Sequence, residues 1–304
     1  MTITDLEYAG MDTNIFVESA FAETSLVENF GVRLIEAVKC KYNLYDVDFT
    51  LTPNAYTVCP GDLSDVDFTQ RIHDLCEFRF DMELAHEVLE CTSREKNYVP
   101  GFPDQRISDD TKIEEVVLNQ LRKSVKDYFE NLFLNGNTYT GGLCDGLLTL
   151  WAADANVIDV TAVPGNITAS AIIGELNKLY NAVDDDVLYS GKTLKFAVAP
   201  NVHRAYEQYL TQTQGFGFGV FNPTQKAPMF YQGLEIVPLR YLPTDNMFLT
   251  SSENIVLATD LYDDMAKIAM TDQWPISHCR KVLLTILFKA AVNYLRGQEI
   301  VWYH

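Results

Sequence analysis

Two histidine–cysteine pairs are the first places where this sequence could do chemistry. His73 and Cys76 have the spacing of a metal-binding pair, and His278 and Cys279 are adjacent. A zinc site needs four ligands, usually supplied as two such pairs at a regular interval, and no partner pair stands at that interval here. Packed core residues are the better reading. His86-Glu87 within HEVLE is not HExxH, because Glu90 occupies the last position. Two imidazoles therefore cannot share one helix face. A Cys–His nucleophile could be assembled from the 6 cysteines and 5 histidines, but no local pattern locates one.

The remaining motifs dissolve on inspection. Gly215-Phe216-Gly217-Phe218-Gly219 follows a predicted helix, whereas a phosphate-cradling loop follows a strand and opens a helix. It reads as a loop with apolar aromatics, suited to a protein contact. Asp184-Asp185-Asp186 lacks the alternating oxygens and central glycine of a calcium loop, and reads as a solvated helix end. Asn166-Ile167-Thr168 is a glycosylation sequon that matters only on a secretory route. No catalytic, metal or cofactor constellation emerges.

The elements that would position such residues belong to a large folded protein. The chain has 304 residues, 47% hydrophobic and 21% charged, enough to bury a sizeable core. Its net charge of -19 repels phosphate backbones and argues against sequence-independent nucleic-acid binding by the whole surface. The N-terminal stretch has no basic or apolar signal region, and Val282–Phe288 runs straight into Lys289. Neither a secretory leader nor a membrane helix is expected. Cys40, Cys59, Cys76, Cys91, Cys144 and Cys279 are scattered with no CxxC pair, so free thiols are expected.

Met1 to about Thr24 reads as an extended arm. Leu26, Val27, Phe30, Leu34, Ile35 and Val38 recur at helical spacing. Tyr45, Val47, Phe49 and Leu51 alternate with polar residues, and after the turn CPGDLSD a second run goes from Val66 and Phe68 through Phe78 and Phe80. This predicts a long hairpin with a polar tip. Thr111–Leu134 is predicted as a long helix, with Asp109 or Asp110 as cap, an apolar face through Leu121, Val125, Phe129 and Leu132, and Asn135-Gly136 as a left-handed stop. Helices at Ile167–Val183 and Asn201–Leu210 alternate with strands at Leu194–Ala199, Leu234–Leu239, Met247–Thr250 and Ile255–Ala258. Strands at Ala266–Met270, Val282–Phe288 and Ile300–Trp302 close the chain. The class is α+β with mixed sheets.

That order of elements, with its local sequences, resembles the major capsid protein of tailed bacteriophages, whose fold is shared with encapsulins and herpesvirus capsid floors. The resemblance runs from about Asn43 to the end. It is carried by ENLFLNG followed by Gly146-Leu147-Leu148, by LKFAVAPNVHRAYEQYL, by the landmarks Gly233, Pro243, Met247, Thr250, Asn254 and Asp260, and by the closing KVLLTILFKAAVNYLRGQEIVWY. Thr259 stands where many members have glycine. No lysine lies between Asp46 and Glu95, so the lysine crosslink of some relatives is not carried over.

The resemblance implies an extended N-terminal arm and helix at 1–44 and a β-hairpin loop at 45–80. A peripheral domain with a spine helix (111–134) would take 81–145 and 264–304, and an α/β axial domain 146–263. It implies a non-enzymatic subunit of an icosahedral shell, self-assembling into hexameric and pentameric capsomers around double-stranded DNA without sequence-specific binding. Expected partners are a separate scaffolding protein, a portal and a decoration protein; no cofactor, metal or membrane is expected. The expected place is the virion capsid, assembled in the host bacterial cytoplasm. Phe49, Val58 and Phe68 on the hairpin and Phe216, Phe218 and Phe221 in the glycine-rich loop are the expected subunit-interface residues. The alternatives are an encapsulin-like nanocompartment shell, with peptide-tagged cargo instead of a genome, and an α+β enzyme with a dispersed Cys/His site.

Overall fold

A computed structural model describes residues 6–9, 24–36, 38, 41–50, 65–85, 111–140, 142–162, 167–214, 228–260, 267–272 and 281–304. The architecture is α+β, with two six-stranded sheets and a separate two-stranded ribbon.

The first sheet is organised by β13 (Lys281–Tyr294). One of its edges pairs antiparallel with β5 (Cys76–Ala85). Its other edge pairs first with β12 (Lys267–Asp272) and then with β11 (Ile255–Thr259). Outside these, β1 (Leu6–Ala9) pairs with β12, and β2 (Arg33–Ile35) runs parallel to β11. The second sheet has the order β6 (Ile158–Val160), β14 (Val301–Tyr303), β10 (Met247–Ser251), β7 (Leu194–Val198), β9 (Leu234–Pro238) and β8 (Met229–Tyr231). The sheets exchange strands relative to chain order: β11 belongs to the first and the last strand, β14, to the second.

Helix α1 (Thr111–Asn135) is about 37 Å long at 1.5 Å per residue. Leu121, Val125, Phe129 and Leu132 are buried, as their helical spacing requires. Phe129 packs 5.1 Å edge-on from Phe78 of β5 and 4.9 Å from Phe288 of β13, which seats the helix on the first sheet. Helix α2 (Leu147–Ala153) inserts Trp151 beside Phe248 of β10 at 4.9 Å, and Phe30 lies 5.6 Å from the same ring. Helices α3 (Ile172–Ala182) and α5 (Pro200–Gln214) pack on each other and on the second sheet, with the short α4 (Asp185–Leu188) between them. Among the described residues no helix is long and apolar enough to cross a membrane.

Three local expectations are corrected. The helical spacing from Leu26 yields only a five-residue π-helix, Leu26–Phe30, because Gly31 turns at φ 85° and Leu34 and Ile35 continue as strand. Gly136 is not a left-handed stop, since Gly31, Gly191 and Gly233 are the glycines of positive φ among the described residues. It is needed for close approach: a Cβ there would meet the Cys144 carbonyl at 2.5 Å and the Leu132 carbonyl at 2.6 Å. Asp184 does not close a helix but caps the start of α4, accepting from the Asp186 amide. The cap proposed for α1 at Asp109 or Asp110 lies outside the described residues.

The landmarks quoted for the family resemblance hold turns together. Gly233 takes φ 82° between β8 and β9. Asn254 accepts from the Arg296 amide at 2.8 Å and donates to the Arg296 carbonyl at 2.9 Å. The buried Asp260 accepts from the Lys289 amide at 2.8 Å. These polar groups tie the β10–β11 turn and the end of β11 to β13.

Candidate functional site

The most unusual element is the ribbon of β3 (Lys41–Thr50) and β4 (Asp65–Asp74). Ten consecutive antiparallel pairs join the two strands, and among the described residues they pair with no third strand. The second apolar run predicted from sequence does not continue as one strand through Phe80. It breaks at Leu75, and β5 leaves the ribbon to join the first sheet.

At its root the ribbon turns one face to the protein. Leu44 is 5% exposed and His73 2%. The neighbouring Arg71 donates to Asp154 Oδ2 at 2.7 Å, just beyond α2, and the Tyr294 hydroxyl of β13 donates to the same oxygen at 2.7 Å. The Arg71 guanidinium lies 4.0 Å from the centre of the Tyr294 ring. One carboxylate thus joins the ribbon, the second helix and the central strand of the first sheet. Burial pushes the Asp154 carboxyl up, but the hydrogen bonds from Arg71, Tyr294 and the Asn156 amide outweigh it and bring it to about 2. Burial and the bond to Asp154 push the Tyr294 hydroxyl well above its ordinary value.

His73 is the opposite case. Among the described residues, neither ring nitrogen has a hydrogen-bonding partner at good geometry. Burial lowers it to about 4, against weaker opposing effects of the nearby Ala291 backbone and the Asp74 charge. The imidazole is held neutral and sealed.

The root is also tied covalently. Cys76, at the start of β5, forms a disulfide with Cys144, their sulfurs 2.06 Å apart across a sequence separation of 68. This corrects the expectation of free thiols. The spacing of scattered cysteines carries no information on which meet in space; the close-packed loop after α1 brings Cys144 there. That loop is closed by the Gly146 amide donating to the Gly136 carbonyl at 2.8 Å and by Thr138 donating to Asp145. The metal reading of His73 and Cys76 falls with it, because the sulfur is bonded to sulfur. Among the described residues no three His, Cys, Asp or Glu side chains gather as a metal-binding group.

At the root, the ribbon's other face is open. Tyr45 is 62% exposed and Ile72 54%, diagonal neighbours by register. Lys41 and Asp74 pair across this face at 2.9 Å, and Asn43 reaches the Tyr45 hydroxyl at 3.4 Å. Of the expected interface residues, Phe49 and Phe68 lie on the ribbon strands, at register positions facing Val66 and Val47. Val58, Phe216, Phe218 and Phe221 lie outside the described residues, as do Cys40, Cys59, Cys91, His278 and Cys279. Sequence reasoning missed Arg71, Asp154, Tyr294 and the Cys76–Cys144 pair. The one usable signal was Arg71 within the alternating strand, a cation on the face that buries Leu44 and His73.

No family model and no curated protein matches the sequence. Solved structures do. A satellite phage P4 procapsid that includes the size determination (Sid) protein superposes with TM-score 0.58 at 12% identity, covering 96% of this chain and 98% of that one. The capsid of a native GTA particle gives 0.61 at 10% identity over 92% and 90%. The holo-SrpI encapsulin complex of Synechococcus elongatus PCC 7942 gives 0.53 at 12% over 92% and 86%. The chain has a capsid- and encapsulin-like fold.

Proposed function

We propose that the chain is the structural subunit of an icosahedral viral shell, assembling through hexamers and pentamers around double-stranded DNA. The observation that carries this reading is the ribbon: firmly rooted, paired with no third strand among the described residues, and presenting Tyr45 and Ile72 to solvent. An isolated two-stranded ribbon is marginal in water, and its unpaired edges invite association. Laid across a neighbour, it becomes an interface. Head-to-tail contacts that close by rotation form rings, and many modest contacts per subunit sum to a stable shell. The net charge of -19 suits a wall that lets packaged DNA move.

In this reading α1 is the spine of a peripheral domain, 146–263 forms the axial domain, and 1–44 the arm. A scaffolding protein, a portal and a decoration protein complete the assembly, formed in the host bacterial cytoplasm. The subunit has a non-enzymatic role in this reading, with which the fold is consistent, and the disulfide withdraws the Cys76 thiol from a Cys–His nucleophile. The similarity to an encapsulin complex favours a second reading, a cellular nanocompartment.

Sedimentation velocity with negative-stain microscopy, on the chain alone and co-expressed with its neighbouring gene products, tests this. Rings or closed shells are expected. A species that stays small in both preparations contradicts the shell. Nucleic acid inside natively isolated shells selects the virus, and protein cargo the compartment.

A further inference from the structure

The Cys76–Cys144 bond joins two pieces of structure that are each held in place without it. Cys76 opens β5 and pairs with Ala290, at one end of ten consecutive β5–β13 pairs. Two residues on, Phe78 is buried against the rings of Phe129 and Phe288. Cys144 sits in the tight connection from α1 to α2. There the Gly142 amide donates to the Asn137 carbonyl at 2.9 Å, and the Gly136 carbonyl accepts from the Gly146 amide at 2.8 Å and the Thr149 hydroxyl at 2.6 Å. A Cβ on Gly146 would meet the Gly136 amide and the Leu132 carbonyl at 2.6 Å, so the connection is close-packed. The Cα atoms of the two cysteines stand 5.9 Å apart, within the span of a cystine. Thiols held this way can close or open the bond while the structure on either side stays folded.

The bond also stands at a joint in the backbone. β4 ends at Asp74 and β5 begins at Cys76, so Leu75 alone separates the ribbon from the first sheet. Three ties of the root lie on the ribbon side of that joint: the burial of Leu44 and His73, Arg71 on Asp154, and the Asn293 amide donating to the Ile72 carbonyl at 3.4 Å. The two hydrogen bonds run to the end of α2 and to β13. The cystine adds a tie to the end of α1, one residue past the joint. It is also shallow. Cys76 is half-buried, and the sequence neighbours Glu77 and Leu143 are exposed, so a small thiol or disulfide can approach from solvent.

We propose that Cys76 and Cys144 form a reversible redox latch on the joint between the ribbon and the first sheet. In the reduced subunit both sheets are folded and the backbone around Leu75 opens locally; in the oxidised subunit the joint is fixed to the end of α1. The oxidant is a small-molecule disulfide such as oxidised glutathione. One cysteine thiolate attacks it and releases one glutathione thiol, leaving a mixed disulfide. The second thiolate then displaces the other glutathione, so two protein thiols become one cystine and one oxidised glutathione leaves as two reduced ones. An excess of small thiol runs the same steps backward. The latch belongs to the free subunit and does not depend on the shell reading.

The test compares the full chain, oxidised and after dithiothreitol, in a brief pulse of hydrogen–deuterium exchange read by mass spectrometry. Amides of residues 72–76 are expected to label about tenfold faster in the reduced subunit, while those of β10 and β11 stay unlabelled in both states. Oxidised glutathione added to the folded, reduced subunit is expected to restore slow labelling, with peptide mapping showing Cys76 joined to Cys144. Cys144→Ser should label fast under either condition and not respond to glutathione, which separates this pair from the other four cysteines. Labelling of β10 and β11 on reduction would make the bond a staple of the whole fold and overturn the latch. Labelling at 72–76 that ignores reduction would overturn it too, as would a bond that returns only after denaturation and refolding.

Discussion

Strands β10 and β11 differ from the ribbon β3–β4 in composition and in surroundings: MFLTS and IVLAT carry no charged residue, whereas the two ribbon strands carry seven. Every residue of β10 and β11 is buried, and each strand is hydrogen-bonded on both sides. The ribbon pairs with no third strand among the described residues, and its root sits in the core through Leu44 and His73. Burial on both faces demands a continuous apolar run, as in IVLA, whereas a ribbon alternates. The alternation of Tyr45, Val47 and Phe49 is that of a ribbon, and at the root Leu44 and His73 are buried while Tyr45 and Ile72 are exposed. In the proposed reading, stability belongs to the two sheets and contact with a neighbour to the ribbon.

If that division is right, damage to the core should be expensive and global. Phe248→Ala, which removes the ring packed on Trp151 and Phe30, is expected to cost about 4 kcal/mol in denaturant unfolding. A cost under about 1 kcal/mol would mean that this cluster is not the centre of the fold. Loss of the Cys76–Cys144 bond, by reductant or by Cys144→Ser, should cost a comparable amount, since closing a loop of this size is worth about 4 kcal/mol in the chain-entropy account. Non-reducing peptide mapping checks that the bond forms; free thiols at both positions would refute it.

Acid should act next, and at the root. His73 stays neutral when folded down to about 4, but in the unfolded chain it takes up a proton near 6.5. The unfolded state binds more protons between these values, so stability is complete above pH 6.5 and falls as the pH drops toward 4. The loss is about 3 kcal/mol, measurable as the shift of a urea midpoint. In His73→Leu the slope over that window should largely vanish, and an unchanged slope would assign it to other groups. Asp154 contributes in the same sense only below its ordinary carboxylate range, toward about 2.

A smaller effect is expected from Arg71→Ala, about 2 kcal/mol, because Asp154 keeps Tyr294 but loses its cation in a half-buried place. Protease cleavage within the ribbon should increase more than global unfolding does. The smallest effect is expected from Ile72→Thr: within about 0.5 kcal/mol for the free subunit, in contrast with its effect on assembly.

Local pattern made much of this architecture legible. The long helix is found at Thr111–Asn135 against a predicted Thr111–Leu134, and the strands around Leu194, Leu234, Met247 and Ile255 fall within a residue or two of expectation. In each, one period persists long enough to exceed competing readings. The π-helix at Leu26 failed because the same apolar spacing serves a short helix and then a strand, with only Gly31 marking the change. The ribbon was legible as a hairpin, but its root was not. Arg71 meets Asp154 across 83 positions and Cys76 meets Cys144 across 68. Such pairings are set by how the sheets and α1 come together, and a single sequence holds no periodic trace of them.

Electron cryomicroscopy of the assembled chain, prepared with its neighbouring gene products, tests the central claim most directly. The account predicts a closed shell in which the ribbon of each subunit, beyond its root, lies across an adjoining subunit. A discrete small oligomer, with the ribbon folded back onto its own sheets, would contradict it.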